Sequence, residues 1–171
     1  MIGNPIVIFG SSRSDGDTIL AVETVLDERN IPIVDLHDLN ISEYDYAASN
    51  ADDDFRPLVV RMLAHDPIVL ASPIYWYAMS ARMKQFIDRW TDLLDRWPQL
   101  GRGLRGKTLA VITGYAEHPD GRQGFEAPFA LTASYMGMKY GGCFYYYSGV
   151  DEKLRNVNDV NALEFASRLF K

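Results

Sequence analysis

Residues 5–29 read PIVIFGSSRSDGDTILAVETVLDER. The first five letters form a short apolar run rich in β-branched residues, which is typical of a buried strand. From residue 18 onward, apolar side chains recur at helical spacing, and Glu23, Asp27 and Glu28 lie outside the apolar stripe. A strand that passes through a short polar turn into a helix is the repeating unit of parallel α/β sheets. This stretch therefore indicates the fold class.

The same alternation continues along the chain. Four further strands are predicted at residues 32–36, 67–71, 108–113 and 143–147. Helices are predicted at residues 18–29, 54–64, 79–97, 125–138 and 157–170, with Pro98 ending the third and longest one. We therefore predict one α/β domain over residues 1–171, with a five-stranded parallel sheet, helices on both faces and right-handed crossovers.

Composition and charge exclude several classes of protein. The 171 residues include 23 Asp and Glu against 17 Lys and Arg, which gives a formal net charge of −6. This balance disfavours binding to nucleic acid or to an anionic membrane, because both need clustered positive charge. The longest uncharged stretch, residues 67–81, is shorter than the roughly 20 apolar residues of a membrane helix. Without a basic and apolar leader, the protein is expected in the cytoplasm.

Cys143 is the only cysteine in the sequence. A single thiol excludes an internal disulfide, a thiolate zinc cluster and an iron–sulfur cluster held by this chain alone, and no metal site is expected. Because Cys143 follows an apolar strand pattern, we expect it to pack inertly and not to act as a nucleophile.

The first loop after a predicted strand, residues 10–18, has the residues of a phosphate site. Its hydroxyl side chains, the guanidinium of Arg13, the small Gly16 and the free N–H groups of the following helix could together surround an anion. The loop lacks the lysine of a triphosphate-binding loop and the glycine spacing of a dinucleotide fingerprint, so a monophosphate fits better. The alternative is an ordinary turn, since Gly, Ser and Asp are also common turn residues.

Two further loops lie at the same predicted edge of the sheet. Residues 72–79 follow the most apolar strand and offer broad apolar surface against which a planar ring could lie. Alternatively, these aromatic residues close the core or an interface. The third loop, residues 113–124, is long and polar, which is typical of a cover beside a site or of an intersubunit arm.

Two segments resemble a known family. Residues 10–18 (GSSRSDGDT) and residues 72–89 (SPIYWYAMSARMKQFIDR) are similar to the NADPH-dependent FMN reductase and NAD(P)H:quinone oxidoreductase family of the flavodoxin-like superfamily. The resemblance extends to the layout of nearly the whole chain. It implies a flavodoxin-like three-layer sandwich with strand order 2-1-3-4-5. It also implies an enzyme that passes hydride from NADH or NADPH through FMN to a small planar acceptor such as a quinone or a flavin.

The resemblance also implies which residues bind FMN. The phosphate would contact the first loop, and the isoalloxazine ring would lie along the second loop and the start of the third. The implied FMN-binding residues are Ser11, Arg13, Ser14, Asp17, Thr18, Pro73, Ile74, Tyr75, Trp76, Thr113, Gly114 and Tyr115. Tyr115 and His118 are the candidates for a catalytic role. His118 would donate a proton to a reduced quinone, or it is an ordinary loop histidine.

Asp17 departs from the family pattern, which often has an amide at this position. A carboxylate beside the phosphate would weaken FMN binding by charge repulsion. Alternatively, Asp17 caps the helix with its oxygens turned away from the ligand.

Two other functions stay open beside the reductase: a flavodoxin-type electron carrier and a flavin-free binding protein. Arg13 argues against the carrier, whereas Asp17 keeps the flavin-free protein open. The first loop has no cysteine, which excludes a phosphatase of similar architecture. A homodimer with the ring edge near the subunit boundary is also expected. The reason is that the long third helix has more large apolar residues, Trp90 and Trp97 included, than one sheet face needs.

Overall fold

A computed structural model describes residues 4–116 and 122–170. Its strands are β1 (Ile6–Phe9), β2 (Ile33–Asp35), β3 (Ile68–Ala71), β4 (Thr108–Tyr115) and β5 (Lys139–Tyr147). They pair in parallel in the order β2-β1-β3-β4-β5. The predicted parallel sheet and its strand order are therefore confirmed.

Helices cover both faces of this sheet. They are α1 (Asp17–Leu26), α2 (Phe55–Met62), α3 (Ala81–Asp88), α4 (Asp92–Asp95), α5 (Pro98–Gly103), α6 (Arg122–Tyr135), α7 (Glu152–Arg155) and α8 (Asn158–Leu169). No helix among the described residues is long and apolar enough to cross a membrane.

Alternate side chains of each strand enter two separate cores. In β1, Ile6 and Ile8 pack with α2, α3 and α6, whereas Val7 and Phe9 pack with α1 and α8. All four residues of β1 and of β3 are buried, because both faces of a parallel sheet are covered by helices. This explains why the central strands appear in the sequence as continuous apolar runs.

The third helix is not the continuous helix of residues 79–97 that the sequence predicts. Ser80 caps α3, a 3₁₀ turn follows at Arg89–Thr91, and α4 ends at Asp95. The Nε atom of Arg89 donates to Asp92 Oδ2 at 2.8 Å, and a 3₁₀ turn aligns residues three apart. Pro98 also begins α5, where a proline is tolerated because first-turn N–H groups lack helical partners.

Both tryptophans of this region belong to the monomer core. Trp90 is 3% exposed and Trp97 is 9% exposed, and each packs against Phe86 or Phe55. The idea that these two side chains are surplus to the core is therefore wrong. They give no support to a dimer.

Donors on α3 and on the 3₁₀ turn after it hold the segment that follows β2. Arg82 donates to the carbonyl oxygen of Leu36 at 3.3 Å, and Gln85 donates to that of Ile41 at 2.6 Å. Arg89 reaches the carbonyl oxygen of Ser42 at 3.1 Å. One face of α3 and the first residue of the following turn therefore fix residues 36–42 beside the sheet.

Arg89 is also the centre of a buried ion cluster. Its side chain is fully buried, pairs with Asp53 and Asp92, and lies 4.7 Å from the ring centre of Phe55. Burial alone would raise the pKa of the Asp53 carboxyl. Hydrogen bonds from Arg89 and from the N–H groups of Ser42 and Phe55 outweigh this effect, so that the pKa lies below its usual range. The Asp53 carboxyl therefore stays charged at neutral pH.

Candidate functional site

The register of the central strands brings the three predicted loops to one edge. Phe9 pairs with Ala71, and Ala71 pairs with Ile112. One residue further on, the N–H of Gly10 donates to Ala71 and the N–H of Ser72 donates to Ile112. Because β1 is followed by a helix on one face and β3 by a helix on the other, this edge is a topological switch point, the place where open α/β sheets bind ligands.

The first loop contains both buried and exposed donors. Ser11 and Thr18 are buried, whereas the side chain of Arg13 is 69% exposed. The Ser14 hydroxyl donates to Asp35 Oδ2 at 2.9 Å. This bond ties the loop to the end of β2 and leaves the hydroxyl oxygen able to accept.

Gly16 is the N-cap of α1, and within the described part of the chain no side chain caps the first-turn N–H groups there. The guanidinium of Arg13 lies against Gly16, and a Cβ atom at residue 16 would approach Arg13 Nε to 2.7 Å. Glycine at this position therefore allows Arg13 to lie over the start of the helix. A guanidinium beside open helical N–H groups is a suitable place for a phosphate.

Asp17 does not cap the helix, but its carboxylate is engaged elsewhere. Asp17 Oδ2 accepts a hydrogen bond of 2.7 Å from the hydroxyl of Ser148, which follows β5. A Cβ atom on Gly114 would lie 2.9 Å from the backbone of Asp17, so α1 passes very close to β4. This carboxylate oxygen therefore joins the start of α1 to the ends of β4 and β5.

The second loop folds into a small hairpin. Pro73 is buried and Ile74 is half-buried. Tyr75 and Ala78 exchange backbone hydrogen bonds of 2.9 and 3.0 Å, and the residues between them, Trp76 and Tyr77, have φ angles of 49° and 66°. Positive φ at both central residues is the pattern of a type I′ turn, and it is uncommon for aromatic residues. The turn leaves Trp76 93% exposed.

Two fully buried serines, which the sequence analysis did not single out, connect these loops. The Ser80 hydroxyl donates to the carbonyl oxygen of Gly10 and accepts from the N–H of Met83 at 3.0 Å. The Ser72 hydroxyl accepts from the N–H of Ser80 at 2.9 Å and donates to the carbonyl oxygen of Pro73 at 3.0 Å. Serine just before a helical pattern is an N-cap signal, but its second bond depends on the tertiary fold.

Residues 113–115 are the last three residues of β4, so their assignment to a loop is wrong. Thr113 and Gly114 are buried, and Tyr115 is half-buried. The Tyr115 ring meets the rings of Tyr145 and Tyr147 edge to face, with centroids 6.2 and 5.3 Å apart. Aromatic side chains on β5 therefore fix Tyr115 at the sheet edge. His118 lies outside the described residues.

The environment of Cys143 disfavours the thiolate, which is the nucleophilic form of cysteine. Burial, and to a lesser extent the charge of Glu126, raises the pKa of its thiol well above the usual value. Burial also raises the pKa of Tyr145, whose hydroxyl donates to Glu126 Oε2 at 2.8 Å. Both groups stay protonated, as the packing role expected for Cys143 requires.

The donors and surfaces at this edge fit FMN. An uncapped helix start beside a guanidinium and several hydroxyls suits a phosphate dianion. Buried Pro73 and the aromatic hairpin, next to the end of β4, suit a planar ring. The two parts lie on adjacent strands, so one molecule with a phosphate at one end and a ring at the other can contact both.

Comparisons with known proteins agree with this chemistry. The family profile described as NADPH-dependent FMN reductase matches residues 5–149. YwqN of Bacillus subtilis (strain 168), whose name describes an NAD(P)H-dependent FMN-containing oxidoreductase, is 32% identical over 181 residues, which cover 96% of this chain and 95% of YwqN.

Two solved structures have a similar fold. The Trp repressor binding protein from Bacillus subtilis has a TM-score of 0.72 at 27% identity and covers 98% of this chain and 97% of its own. An FMN-dependent NADH-azoreductase from Bacillus anthracis, solved with FMN, has a TM-score of 0.71 at 12% identity and covers 98% of this chain and 99% of its own. Family membership argues against the electron-carrier and flavin-free alternatives. The chain belongs to the NADPH-dependent FMN reductase family and is an FMN-binding, NAD(P)H-dependent oxidoreductase.

Proposed function

We propose that the protein uses NADH or NADPH to reduce a small planar acceptor, such as a quinone or a flavin, with FMN held by residues 10–18, 72–76 and 113–115. The observation that carries this proposal is the exposed hairpin of residues 75–78, which stands at the same sheet edge as the uncapped start of α1. A surface open to solvent beside the ring suits a site that admits donor and acceptor in turn.

In this proposal, the first loop binds the phosphate of FMN. Arg13 supplies charge, the hydroxyls of Ser11, Ser14 and Thr18 supply hydrogen bonds, and the start of α1 adds backbone N–H groups. Asp17 lies on the same turn, but its bond to Ser148 holds one carboxylate oxygen toward β5. Repulsion of the phosphate by Asp17 is thereby reduced.

The second loop and the end of β4 orient the ring. Buried Pro73 and half-buried Ile74 contact one edge of the ring, and Tyr75 and Trp76 cover its face. The end of β4 borders the other edge through Thr113, Gly114 and Tyr115. When bound, FMN supplies the hydride chemistry between the nicotinamide and the acceptor. The protein contributes orientation and the exclusion of water, with Tyr115 as the candidate for a hydrogen bond to the reacting groups.

The reaction is tested by anaerobic mixing. FMN-loaded protein is mixed with excess NADH or NADPH, and the visible absorbance of oxidised flavin is followed in a stopped-flow instrument. We expect bleaching with at least one donor and recovery of the absorbance when a quinone or free flavin is added. Trp76→Ala should slow the recovery more than it weakens FMN binding. If neither donor bleaches the bound flavin, the proposed reaction is wrong.

We also propose a homodimer with the ring edge near the boundary, on grounds other than the buried tryptophans. Trp76, Tyr77 and Tyr46 are exposed. A cleft of about 550 Å³ lies between the Glu43–Tyr46 segment and α3, and Tyr44 and Tyr46 line it. Exposed aromatic residues around a cleft are common at interfaces. Light scattering should give about twice the 19.3 kDa of one chain. A 19.3 kDa particle at micromolar concentration would exclude the dimer.

We propose that the reaction takes place in the cytoplasm. Cys143 is the only cysteine in the sequence and is free, and proteins without disulfides are usual in a reducing compartment. Cell fractionation of the tagged protein tests this, and recovery with the membrane pellet would contradict it.

A further inference from the structure

Ser80 joins the two parts of the proposed FMN site. Ser80 is not among the residues assigned above to FMN binding. It is the N-cap of α3, where it is fully buried. Its hydroxyl donates to the carbonyl oxygen of Gly10, the residue at which the first loop begins. Its N–H donates to Ser72, the residue at which the second loop begins. One residue therefore bonds to the first residue of each loop.

The contact between α3 and the first loop is close. A Cβ atom at Gly10 would lie 2.9 Å from Met83 Cε and 3.2 Å from Met83 Cβ. The N–H of Met83 donates to the Ser80 hydroxyl at 3.0 Å, so the same turn of α3 both touches Gly10 and is capped by Ser80. A shift of this turn would therefore move the start of the phosphate-binding loop.

We propose that Ser80 is a positioning residue that sets the distance between the phosphate-binding loop and the ring-binding loop; this inference rests on the placement of FMN proposed above. Removing the hydroxyl leaves the buried carbonyl oxygen of Gly10 without its donor, which favours movement of the first loop toward water. FMN contacts both loops, so it loses affinity when their spacing changes. Riboflavin has no phosphate and depends mainly on the second loop.

Ser72 provides a matched control. It is as deeply buried as Ser80, and its hydroxyl also makes two hydrogen bonds. Both of these partners, Pro73 and Ser80, belong to the segment that leads from β3 into α3. Ser72→Ala removes the bond from the Ser80 N–H but leaves the bond from the Ser80 hydroxyl to Gly10, so the first loop stays fixed to α3. It should therefore disturb the second loop alone and weaken the binding of FMN and of riboflavin by the same factor.

The experiment measures the dissociation constants of FMN and riboflavin by calorimetry for the wild-type protein, Ser80→Ala and Ser72→Ala, together with the melting temperature of each without flavin. We expect Ser80→Ala to raise the dissociation constant of FMN by about tenfold, the equivalent of one hydrogen bond. The dissociation constant of riboflavin should rise by less than about threefold. If Ser80→Ala does not fold, Ser80→Cys, which keeps a weak donor, replaces it and should show a smaller change in the same direction.

The two proposals fail in different ways. If the wild-type protein binds FMN and riboflavin equally, the placement of the phosphate is wrong. If the wild-type protein prefers FMN and both Ser80 variants keep the wild-type ratio of the two dissociation constants, Ser80 has no positioning role, even when the variants melt at a lower temperature. A change in that ratio with Ser72→Ala as large as with Ser80→Ala would also overturn the inference.

Discussion

At the scale of single residues, Arg13 and Asp17 carry opposite charges within one loop but differ in their partners. The Arg13 guanidinium is mostly exposed, and its ion pair with the exposed Asp15 spans 3.8 Å. Asp17 accepts a hydrogen bond from Ser148, the residue that follows β5. An exposed pair of this kind is weak, so Arg13 is available for an anionic ligand, whereas Asp17 already has a partner.

We therefore expect Arg13→Ala and Asp17→Asn to have very different effects. Arg13→Ala should weaken the binding of FMN about tenfold or more, because a charge-assisted hydrogen bond is lost. The affinity for riboflavin should stay unchanged. Asp17→Asn should change FMN affinity by less than about threefold, since an amide can keep the bond to Ser148. Arg61→Ala, at an exposed position on α2, is the control. Equal weakening of FMN and riboflavin by Arg13→Ala would contradict the phosphate site.

Sequence reasoning located the loops of the candidate site but not all the bonds that shape them. Arg13, Gly16 and the hydroxyls could be recognised because each has a local role in a turn or at a helix start. The bonds of Ser80 to Gly10 and of Asp17 to Ser148 join residues 70 and 131 positions apart. No local pattern contains such contacts, because they exist only when the sheet has assembled.

At the scale of elements, the hairpin of residues 75–78 keeps a strained backbone. Tyr77 has a φ of 66°, a region that favours glycine. Tyr77→Gly should therefore raise the free energy of unfolding by about 1 kcal/mol, as measured by urea denaturation. Ala78→Gly, at the next residue, where φ is not positive, should lower it by about 0.5 to 1 kcal/mol. If both glycines destabilise the protein equally, the turn is not strained at Tyr77.

The elements that sequence reasoning predicted least well are those where a tertiary contact overrides local preference. The predicted helix of residues 79–97 is divided by the 3₁₀ turn in which Arg89 reaches Asp92. The start of β5 at Lys139 was missed because Gly141 and Gly142 have low strand propensity. Pairing with β4 through a register shift includes them in the sheet.

At the scale of the whole molecule, the cluster of Arg89, Asp53 and Asp92 couples folding to pH. The pKa of Asp53 is lowered in the folded state, so its contribution is present above the unfolded value of about 3.9 and is lost as the pH falls through the folded value. We expect Asp53→Asn to lower the free energy of unfolding by about 3 kcal/mol at pH 7, because it leaves Arg89 buried with one carboxylate fewer.

The difference between Asp53→Asn and the wild-type protein should begin to shrink below the unfolded pKa of about 3.9, where the unfolded wild-type carboxyl takes up a proton, and should be lost once the pH falls below the lowered folded pKa. Urea denaturation at pH 3 to 7 measures this, and Asp52→Asn, at the exposed neighbouring residue, is the control. A stability difference that stays constant over this range would show that the Asp53 charge does not contribute.

The overall fold was the most predictable level. Short apolar runs alternate with amphipathic helices along the chain, and the parallel sheet follows because both of its faces must be covered. Strand order was implied by family resemblance, and the pairing of Phe9 with Ala71 and of Ala71 with Ile112 confirms it. Composition and periodicity alone do not distinguish among the possible orders of five parallel strands.

The unequal exposure of the three tryptophans gives the protein an optical reporter of its own. Trp76 is 93% exposed, whereas Trp90 and Trp97 lie in the core. Iodide in the solvent can quench the fluorescence of Trp76 but cannot reach the other two indoles. When the light excites tryptophan and not tyrosine, the quenchable part of the emission therefore comes from the hairpin alone, and a ligand that covers the hairpin would be detected without any added label.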